Sequence, residues 1–314
     1  RSLYKMQQAG CDYVVMEVYS HALALKRVAG CEYDVAILTN ITQDHLDFHR
    51  TFENYRKAKA ILFESLHTGN KPDKCAIFNM DDPSSEIIIK STKSPIMTYG
   101  KSETNDVYPL FWKIEAKHMQ LDLQTPAGEL HLMLHITGEF NVYNVMAAVS
   151  AMIAEKINLK VIEDTLNGFA GVPGRFQLVE AGQPYTVIVD YAHTPDGLEN
   201  VLKTARCITK GKLWVVFGCG GDRDSKKRPI MAKIALELAD NIVVTSDNPR
   251  SEDPELIIAD IEKGLVGATA DKEIHKVTDR REAINLALSK AEPNDVILIA
   301  GKGHENYQIL KNET

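Results

Sequence analysis

The chain has 314 residues, of which 44% are hydrophobic and 25% charged, an ordinary globular composition with apolar material for about two domains. This composition excludes a disordered tail, a collagen-like repeat and a small scaffold held by disulfides. Lys and Arg number 36 against 43 Asp and Glu, and the net charge of −7 argues against general binding to nucleic acid. No apolar run approaches the roughly 18 residues that span a bilayer. We therefore expect a soluble protein with no membrane segment and no nucleic-acid partner.

The cysteines and the start of the chain bear on its location and completeness. Five cysteines are scattered without a CxxC pair, and no signal peptide is visible, which is typical of a cytoplasmic protein. The chain opens at Arg1, without a methionine and inside a helical pattern, so we expect a fragment that lacks material at its front. We expect it to be a monomer.

In the first half of the chain, short apolar runs alternate with amphipathic stretches. Between residues 106 and 137 the hydrophobic period changes to two, which indicates a small antiparallel sheet. The other predicted elements are strands at 13–18, 34–40 and 75–79 and helices at 52–66 and 141–155.

The GVPGRF segment, residues 171–176, interrupts this pattern with two glycines and a proline. We place a domain boundary there, with residues 1–172 in a first domain and 173–314 in a second. The regular alternation beyond it predicts an α/β fold, a parallel sheet with helices on both faces. Its expected strands are 186–191, 213–217, 242–246, 274–277 and 296–300, and its helices are 197–208, 228–239, 254–264 and 280–290.

Polar clusters follow most of the predicted parallel strands. Turn chemistry could account for any one of them. Because the carboxyl ends of parallel strands meet at one edge of a sheet, several clusters together indicate a site. In the first domain they bring Glu17 together with Asp44, His45, Asp47 and His49, an oxygen-rich set that suits Mg²⁺ or Mn²⁺.

The clusters of the second domain suit a small charged ligand. GCGGDRDSKKRP follows a strand and precedes a helix, which favours anion binding, although the P-loop pattern GxxxxGK[ST] occurs nowhere in these residues. Arg223 and Arg250 can each bind a carboxylate through two hydrogen bonds, while Asp247, Asn248 and Glu305 can accept from an ammonium group. The sequence therefore predicts a pocket for a zwitterion with more than one carboxylate.

The order of the longer motifs identifies a family. EVYSHALALKR, TNITQDHLDFH, YRKAKAILF, GEFNVYNVMAA, GVPGRF, VDYAHTPDGLENVL, FGCGGDRDSKKRP, DNPR and GKGHE together resemble the Mur ligases, most of all the branch that adds meso-2,6-diaminopimelate. The resemblance covers essentially the whole chain. It implies a central ATPase-type domain, with a mostly parallel sheet and a small antiparallel one, followed by a Rossmann-like C-terminal domain.

The resemblance also implies an activity in bacterial peptidoglycan synthesis. In this family ATP phosphorylates the D-glutamate carboxylate of a UDP-N-acetylmuramoyl-dipeptide, and the amine of the incoming amino acid attacks the acyl phosphate to form an amide. ATP and Mg²⁺ are the implied cofactors, because phosphoryl transfer depends on positioning and on neutralising charge. The small-molecule partners would be UDP-MurNAc-L-Ala-D-Glu, meso-diaminopimelate and ATP.

Individual roles follow only from this resemblance. Lys59 matches a lysine that reacts with CO₂ to form a carbamate, which requires a lowered pKa; taken alone, it reads as a lysine whose stem lies on apolar surface. His45 would be catalytic as well as a metal ligand. The implied metal ligands are Glu17, His45 and Lys59; the nucleotide-binding residues are Asn141 and Asp190; the UDP-sugar contacts are Tyr19 and Arg27; and the diaminopimelate-binding residues are Arg223, Asp247, Asn248, Pro249, Arg250, Gly301 and Glu305.

Arg250 carries the choice of amino acid. Diaminopimelate is a lysine with a second carboxylate, and lysine would leave the Arg250 guanidinium without its partner. Two features depart from the family: Tyr19 stands where a serine contacts the UDP-sugar, and the GTxGKTT phosphate loop and the UDP-binding domain are not among these residues. Two alternatives therefore remain, a binding protein without turnover and a related ligase for another amino acid such as L-lysine.

We predict that these 314 residues alone do not catalyse ligation, because the β- and γ-phosphates of ATP lack the loop that would hold them. The measurement is release of ADP by the purified chain in the presence of both substrates. Release that depends on diaminopimelate would contradict the prediction.

Overall fold

The computed structural model describes residues 2–42, 46–68, 70–115, 117–267, 269 and 272–311. Its helices are α1 (Ser2–Gln8), α2 (Ser20–Ala24), α3 (Leu46–His49), α4 (Phe52–Thr68), α5 (Ser85–Ile88), α6 (Glu139–Ala154), α7 (Leu159–Asn167), α8 (Pro195–Ile208), α9 (Lys227–Leu238), α10 (Pro254–Glu262) and α11 (Arg280–Lys290). Its strands are β1 (Val35–Leu38), β2 (Cys75–Asn79), β3 (Ile96–Tyr99), β4 (Tyr108–Ile114), β5 (Met119–Thr125), β6 (Gly128–Leu134), β7 (Gln177–Val179), β8 (Thr186–Asp190), β9 (Leu213–Phe217), β10 (Asn241–Val244), β11 (Glu273–Lys276) and β12 (Val296–Ala300). The α/β class predicted from the sequence is confirmed.

The chain forms two compact units. Unit 1 consists of Arg1–Tyr108 and Met146–Ile157, and unit 2 of Pro109–Val145 and Asn158–Thr314. Helix α6 contributes its first half to unit 2 and its second half to unit 1. This division follows compactness, and the functional boundary after residue 172 stays a prediction.

Unit 1 contains a parallel sheet in the order β1-β2-β3. Helix α4 packs its apolar side on this sheet, where Phe63 stacks on Phe78 with ring centroids 4.7 Å apart. The same side carries Tyr55 and Leu66, both buried. This is the helix predicted from the apolar spacing between residues 52 and 66.

The strand predicted at residues 13–18 is wrong. This stretch pairs with no strand in the described part of the chain, and its side chains are mostly exposed, Val15 fully. An apolar run is not sufficient for a strand, because the backbone N–H and C=O groups also need a neighbouring strand. Strand β3 was not predicted.

Unit 2 is built on a six-stranded sheet in the order β11-β10-β9-β12-β8-β7. All pairs are parallel except β7 with β8, which is antiparallel. Strands β9 and β10 are buried at every position, which explains their unbroken apolar sequences. The five parallel strands were predicted, whereas β7, with three residues at the sheet edge, was not.

Helices cover both faces of this sheet. Alternate strand residues face α8, α9 and α10 on one side, and the intervening residues, such as Trp214 and Val216, face Ala283 and Ala287 of α11 on the other. Three of these helices begin with a side-chain cap: Thr194 for α8, Asp253 for α10 and Asp279 for α11. Because β8 to β12 are parallel, they all end at one edge of the sheet, where the loops after β8, β9, β10 and β12 begin.

The remaining elements of unit 2 include the predicted small sheet, in the order β4-β5-β6, with β5 and β6 antiparallel. Helix α7, which begins at an Asn158 cap, was not predicted. None of the helices in the described ranges is long and apolar enough to cross a membrane. All five cysteines are free, and only Cys219 is buried, which raises the pKa of its thiol to about 12.

Leu298→Ala tests the central core of unit 2. Leu298 is fully buried in β12, so the variant should lose about 2–5 kcal/mol of unfolding free energy through lost burial and the cavity left behind. Urea unfolding followed by tryptophan fluorescence measures this, because both tryptophans, Trp112 and Trp214, lie in unit 2. The exposed Leu256→Ala should change stability by less than about 0.5 kcal/mol, and equal losses in the two variants would contradict the packing described.

Candidate functional site

The loops after β10 and β12 meet in a buried polar network. The Lys302 ammonium donates to Asn248 Oδ1 at 2.9 Å and to Glu305 Oε2 at 3.0 Å. Asn248 Nδ2 donates to the same Glu305 oxygen at 3.2 Å. The backbone N–H of Ile309 is a second donor to Asn248 Oδ1, so the amide of Asn248 is held with its NH₂ group toward Glu305.

Glu305 is kept ionised by this network. Burial raises the pKa of its carboxyl, but the hydrogen bonds from Lys302 and Asn248 and the charge of Lys302 outweigh it, so the pKa lies below its ordinary value. The other carboxylate oxygen, Oε1, accepts a long hydrogen bond of 3.4 Å from the Tyr191 hydroxyl. Glu305 therefore presents a negative charge at the sheet edge.

Asp247 supplies a second carboxylate beside this network. It is only 8% exposed, and its Oδ1 accepts the N–H of Asn248 at 2.7 Å. Its Oδ2 is buried and receives no hydrogen bond from the described residues. Gly301, with φ +116°, lies so close that a Cβ there would be 2.8 Å from Asp247 Oδ2. The absence of a side chain at Gly301 therefore avoids a clash with this oxygen.

A buried cation faces the same carboxylates. Arg280 is 8% exposed and donates to the carbonyl oxygens of Ala300 at 2.8 Å and Ser246 at 3.4 Å. Burial lowers the pKa of its guanidinium, and the negative charges of Asp247 and Glu305 oppose this effect. Each of the two carbonyls belongs to the residue immediately before a predicted ligand-binding residue.

Arg250 adopts a left-handed backbone conformation, with φ +53°. This conformation costs a side-chain-bearing residue about 1–2 kcal/mol, and it is held here by hydrogen bonds. Its backbone N–H donates to Ile309 O at 3.0 Å, and its Nη1 donates to Gly221 O at 2.8 Å. Gly221 must lack a side chain because a Cβ would lie 2.0 Å from Pro249 O.

Arg223 and Arg250 approach each other around Gly220. A Cβ on Gly220 would lie 2.9 Å from Arg250 Nη1 and 3.8 Å from Arg223 Cγ. In the described part of the chain, the hydrogen bonds of both guanidinium groups go to backbone carbonyls and not to carboxylates. Two cationic groups are therefore available to an anionic ligand at this edge. A surface depression of about 310 Å³ adjoins Arg250 and Pro249.

A second buried arginine, Arg228, helps to connect the loop after β9 with the loop after β10. It is almost fully buried and pairs with Glu252, at 2.8 Å, and with Asp260, at 2.9 Å. Burial lowers the pKa of its guanidinium, but the bonds to these two carboxylates outweigh it and hold the pKa above the ordinary value. Glu252 also accepts the N–H of Asp222, so the loop that carries Arg223 is fastened to the loop that carries Arg250.

Asp190 ends β8, and Tyr191 begins the loop after it. Both carboxylate oxygens of Asp190 accept backbone N–H groups, from Phe176 and Ala192, each at 2.7 Å. Burial raises the pKa of Asp190, and these bonds oppose it. The Arg175 guanidinium lies 4.8 Å from the centre of the Tyr191 ring. The predicted nucleotide role of Asp190 thus falls on a carboxylate that already orders the GVPGRF loop.

The predicted residues of unit 1 are less completely placed. His45 lies outside the described residues. Lys59 Nζ donates to Val18 O at 3.2 Å, next to Glu17, and the Tyr19 hydroxyl donates to Glu17 Oε2 at 3.0 Å. The described residues contain no group of three or more His, Cys, Asp or Glu side chains that could hold a metal. The structure therefore brings Lys59 to the segment of Glu17 without forming a complete metal site.

Two candidates remain, Arg27 in unit 1 and Asn141 in unit 2. Arg27 is exposed just after α2. Asn141 lies in the first turn of α6, where its Nδ2 donates to Thr137 O at 2.8 Å and its Oδ1 accepts from Asn144 at 3.0 Å. Nothing in these contacts assigns either residue to a ligand, so both roles stay predictions.

Comparison with known proteins now bears on these clusters. The family model "Mur ligase middle domain" matches residues 1–152, and "Mur ligase, glutamate ligase domain" matches residues 174–303. The chain belongs to the Mur ligase family. It is 49% identical over 316 aligned residues to UDP-N-acetylmuramoyl-L-alanyl-D-glutamate–2,6-diaminopimelate ligase of Bacillus licheniformis, which covers 100% of this chain and 64% of that relative.

Solved Mur ligase structures share the fold. A structure of UDP-N-acetylmuramoyl-L-alanyl-D-glutamate–2,6-diaminopimelate ligase is 37% identical, with a TM-score of 0.66, covering 98% of this chain and 62% of that one. MurF ligase from Thermotoga maritima, solved with ADP, has a TM-score of 0.68 at 18% identity over 91% of this chain and 62% of that one. The chain thus spans slightly less than two thirds of these Mur ligases.

The sequence analysis gave no role to several residues at the carboxyl edge of the unit 2 sheet. Lys302 lies inside the quoted GKGHE motif but was given no role, although it links Asn248 to Glu305. Arg175 similarly lies inside GVPGRF. Arg228 and Arg280 stand at the starts of helices, where an arginine carries no signal that it is buried. For Arg228, the one available signal in the sequence was its position in the motif FGCGGDRDSKKRP, close to the glycine-rich loop.

Glu305→Gln tests the charge of the network. Because the pKa of Glu305 is lowered in the folded protein, its carboxylate stabilises the fold above the ordinary carboxyl pKa, and this contribution is lost as the pH falls. The variant should be less stable than wild type at pH 7, with the difference shrinking toward pH 3. Urea unfolding followed by tryptophan fluorescence at both pH values measures this.

Glu237→Gln, on the exposed side of α9, controls for the removal of one negative charge. A difference between Glu305→Gln and wild type that stays constant with pH would contradict the lowered pKa.

Proposed function

We propose that this chain carries the middle and C-terminal domains of an ATP-dependent ligase that adds meso-diaminopimelate to UDP-MurNAc-L-Ala-D-Glu in peptidoglycan synthesis. The similarity to diaminopimelate ligases extends over the whole chain. The proposal assigns residues 1–172 to the ATPase domain and residues 173–314 to the domain that binds the amino acid. We also propose a cytoplasmic location and a monomer.

The observation that carries the proposal is the charge arrangement at the carboxyl edge of the unit 2 sheet. Arg223 and Arg250 lie near each other with their guanidinium groups on backbone carbonyls. Asp247 is on the same loop as Arg250, and Glu305 is on the loop after β12. Two guanidinium groups bonded to backbone carbonyls match a ligand with two carboxylates, and Glu305 Oε1, with its long 3.4 Å hydrogen bond from Tyr191, suits an ammonium group. A carboxylate of the ligand would replace backbone carbonyls as the partner of Arg250.

The arrangement also favours diaminopimelate over lysine. Lysine has one carboxylate, so it would leave one of the two guanidinium groups facing the pocket without an anion. The orientation of Asn248 adds to this, because its NH₂ group is a donor and its oxygen is already occupied by Lys302 and Ile309. Asn248 is therefore suited to a carboxylate, a change from its sequence-based role as an acceptor for ammonium.

ATP and Mg²⁺ belong to the proposal, and the residues of unit 1 fit them in part. Lys59 reaches the backbone beside Glu17, as a carbamate on Lys59 that shares a metal with Glu17 would require. The proposed ligands are Glu17, His45 and the Lys59 carbamate. A bound Mg²⁺ supplies charge neutralisation for the phosphates. Asn141 and Asp190 are proposed to contact the nucleotide, and Tyr19 and Arg27 the UDP-sugar.

Calorimetric titration of the purified chain with meso-diaminopimelate and with L-lysine tests the amino-acid pocket. We expect diaminopimelate to bind more tightly, and Arg250→Ala to weaken it by about ten- to a hundredfold, the value of hydrogen bonds to a charged group. Arg206→Ala removes the same charge at the amino end of β10, where Arg206 pairs with Asp240, and should bind like wild type.

Equal binding of the two amino acids would overturn the Arg250 argument. Failure of both to bind would overturn the proposal that the pocket is already formed in this chain.

A further inference from the structure

Arg280 is a buried cation, and it is not one of the residues proposed to bind the ligand. It is the first residue of α11, on the face of the sheet opposite to α8, α9 and α10, and its side chain extends to the carboxyl edge. There it contacts Ala300 O at 2.8 Å and Ser246 O at 3.4 Å. Burying a guanidinium group costs free energy, so we ask what this side chain contributes in return.

The two carbonyls belong to strands that are not neighbours. Ala300 ends β12, Ser246 follows β10, and β9 lies between these strands in the sheet. No backbone ladder therefore joins the two strand ends directly. Thr278, just before α11, accepts the N–H of Ser246, so the start of α11 is itself anchored to the end of β10. Arg280 thus forms a bridge across the end of β9.

We propose that Arg280 is a positioning residue that holds the loop after β10 and the loop after β12 at a set separation. The inference rests on the proposed function and deepens it. The next residue after each bonded carbonyl is a predicted ligand contact, Asp247 on one side and Gly301 on the other. The bridge keeps Asp247 Oδ2 over Gly301 and keeps Asn248 within reach of Glu305.

The chemistry of the side chain explains why an arginine is needed. Its planar fork donates in two directions at once, whereas a lysine ammonium acts as one point. Its positive charge also interacts favourably with the negative charges of Asp247 and Glu305. A methionine of similar length would fill the space but would provide neither the two donors nor the charge.

The experiment compares Arg280→Met and Arg280→Lys with wild type and with Arg206→Met. Arg206 is the matched control because it also donates to a backbone carbonyl, Leu238 O, but at the opposite end of the sheet. Two quantities are measured on the full chain: the Kd for meso-diaminopimelate, and hydrogen–deuterium exchange of the peptides covering residues 245–250 and 300–305.

We expect Arg280→Met to weaken binding by about tenfold or more, since small displacements of positioned groups have effects of this size. Exchange should rise in both peptides together, and Arg280→Lys should recover part of each effect. Arg206→Met should leave both quantities as in wild type. General destabilisation would instead raise exchange throughout unit 2, including α8 and β7, and would overturn the proposal.

The two proposals fail in different ways. If wild type binds diaminopimelate and Arg280→Met binds it equally well with unchanged exchange, the positioning role is overturned and the proposed function stands. If wild type does not bind diaminopimelate, the proposed pocket fails, and the joint rise in exchange alone decides whether Arg280 bridges the loops. A rise in one peptide only would overturn the bridge.

Discussion

Parallel pairing of the central strands of unit 2 is the constraint on which the rest depends. It forces the chain to leave the sheet at the same edge after β8, β9, β10 and β12, so each loop begins beside the others. These loops carry both positively and negatively charged side chains, and a buried charge without a partner is energetically unfavourable. In the network of Lys302, Asn248 and Glu305, the three side chains meet this requirement by forming hydrogen bonds with one another.

Arginines of two kinds lie at the carboxyl edge of this sheet. Arg228 has carboxylate partners inside the protein, Glu252 and Asp260, and it serves to join the loops. Arg223 and Arg250 bind only backbone carbonyls through their guanidinium groups in the described part of the chain, so their charges remain uncompensated by an ion pair. The carboxylates of the proposed ligand would pair with the second kind and not with the first. Sequence motifs cannot make this distinction, since Arg223 and Arg228 lie in the same glycine-rich motif.

Two residues of the proposed ligand site have unusual backbone conformations. Arg250 has a left-handed backbone conformation, and Gly301 takes a conformation that only glycine adopts readily. Both are held by contacts from the last described segment of the chain and from the facing loop: Ile309 O accepts the N–H of Arg250, and Asp190 O accepts the N–H of Gly301. The rigid sheet thus supports unfavourable local geometry that places charged groups outside the strand ends.

The sequence by itself determined the α/β class, the parallel strands of unit 2 and the motifs of the family, because buried strands and amphipathic helices have visible periods. It also pointed to Asn248, Arg250 and Glu305 as neighbours at one edge. It could not show that residues 13–18 lack a strand partner, since pairing depends on a distant segment. Only the tertiary structure decided that Lys302 and Arg280 are buried beside the ligand residues, because burial of a charge is set by what surrounds it.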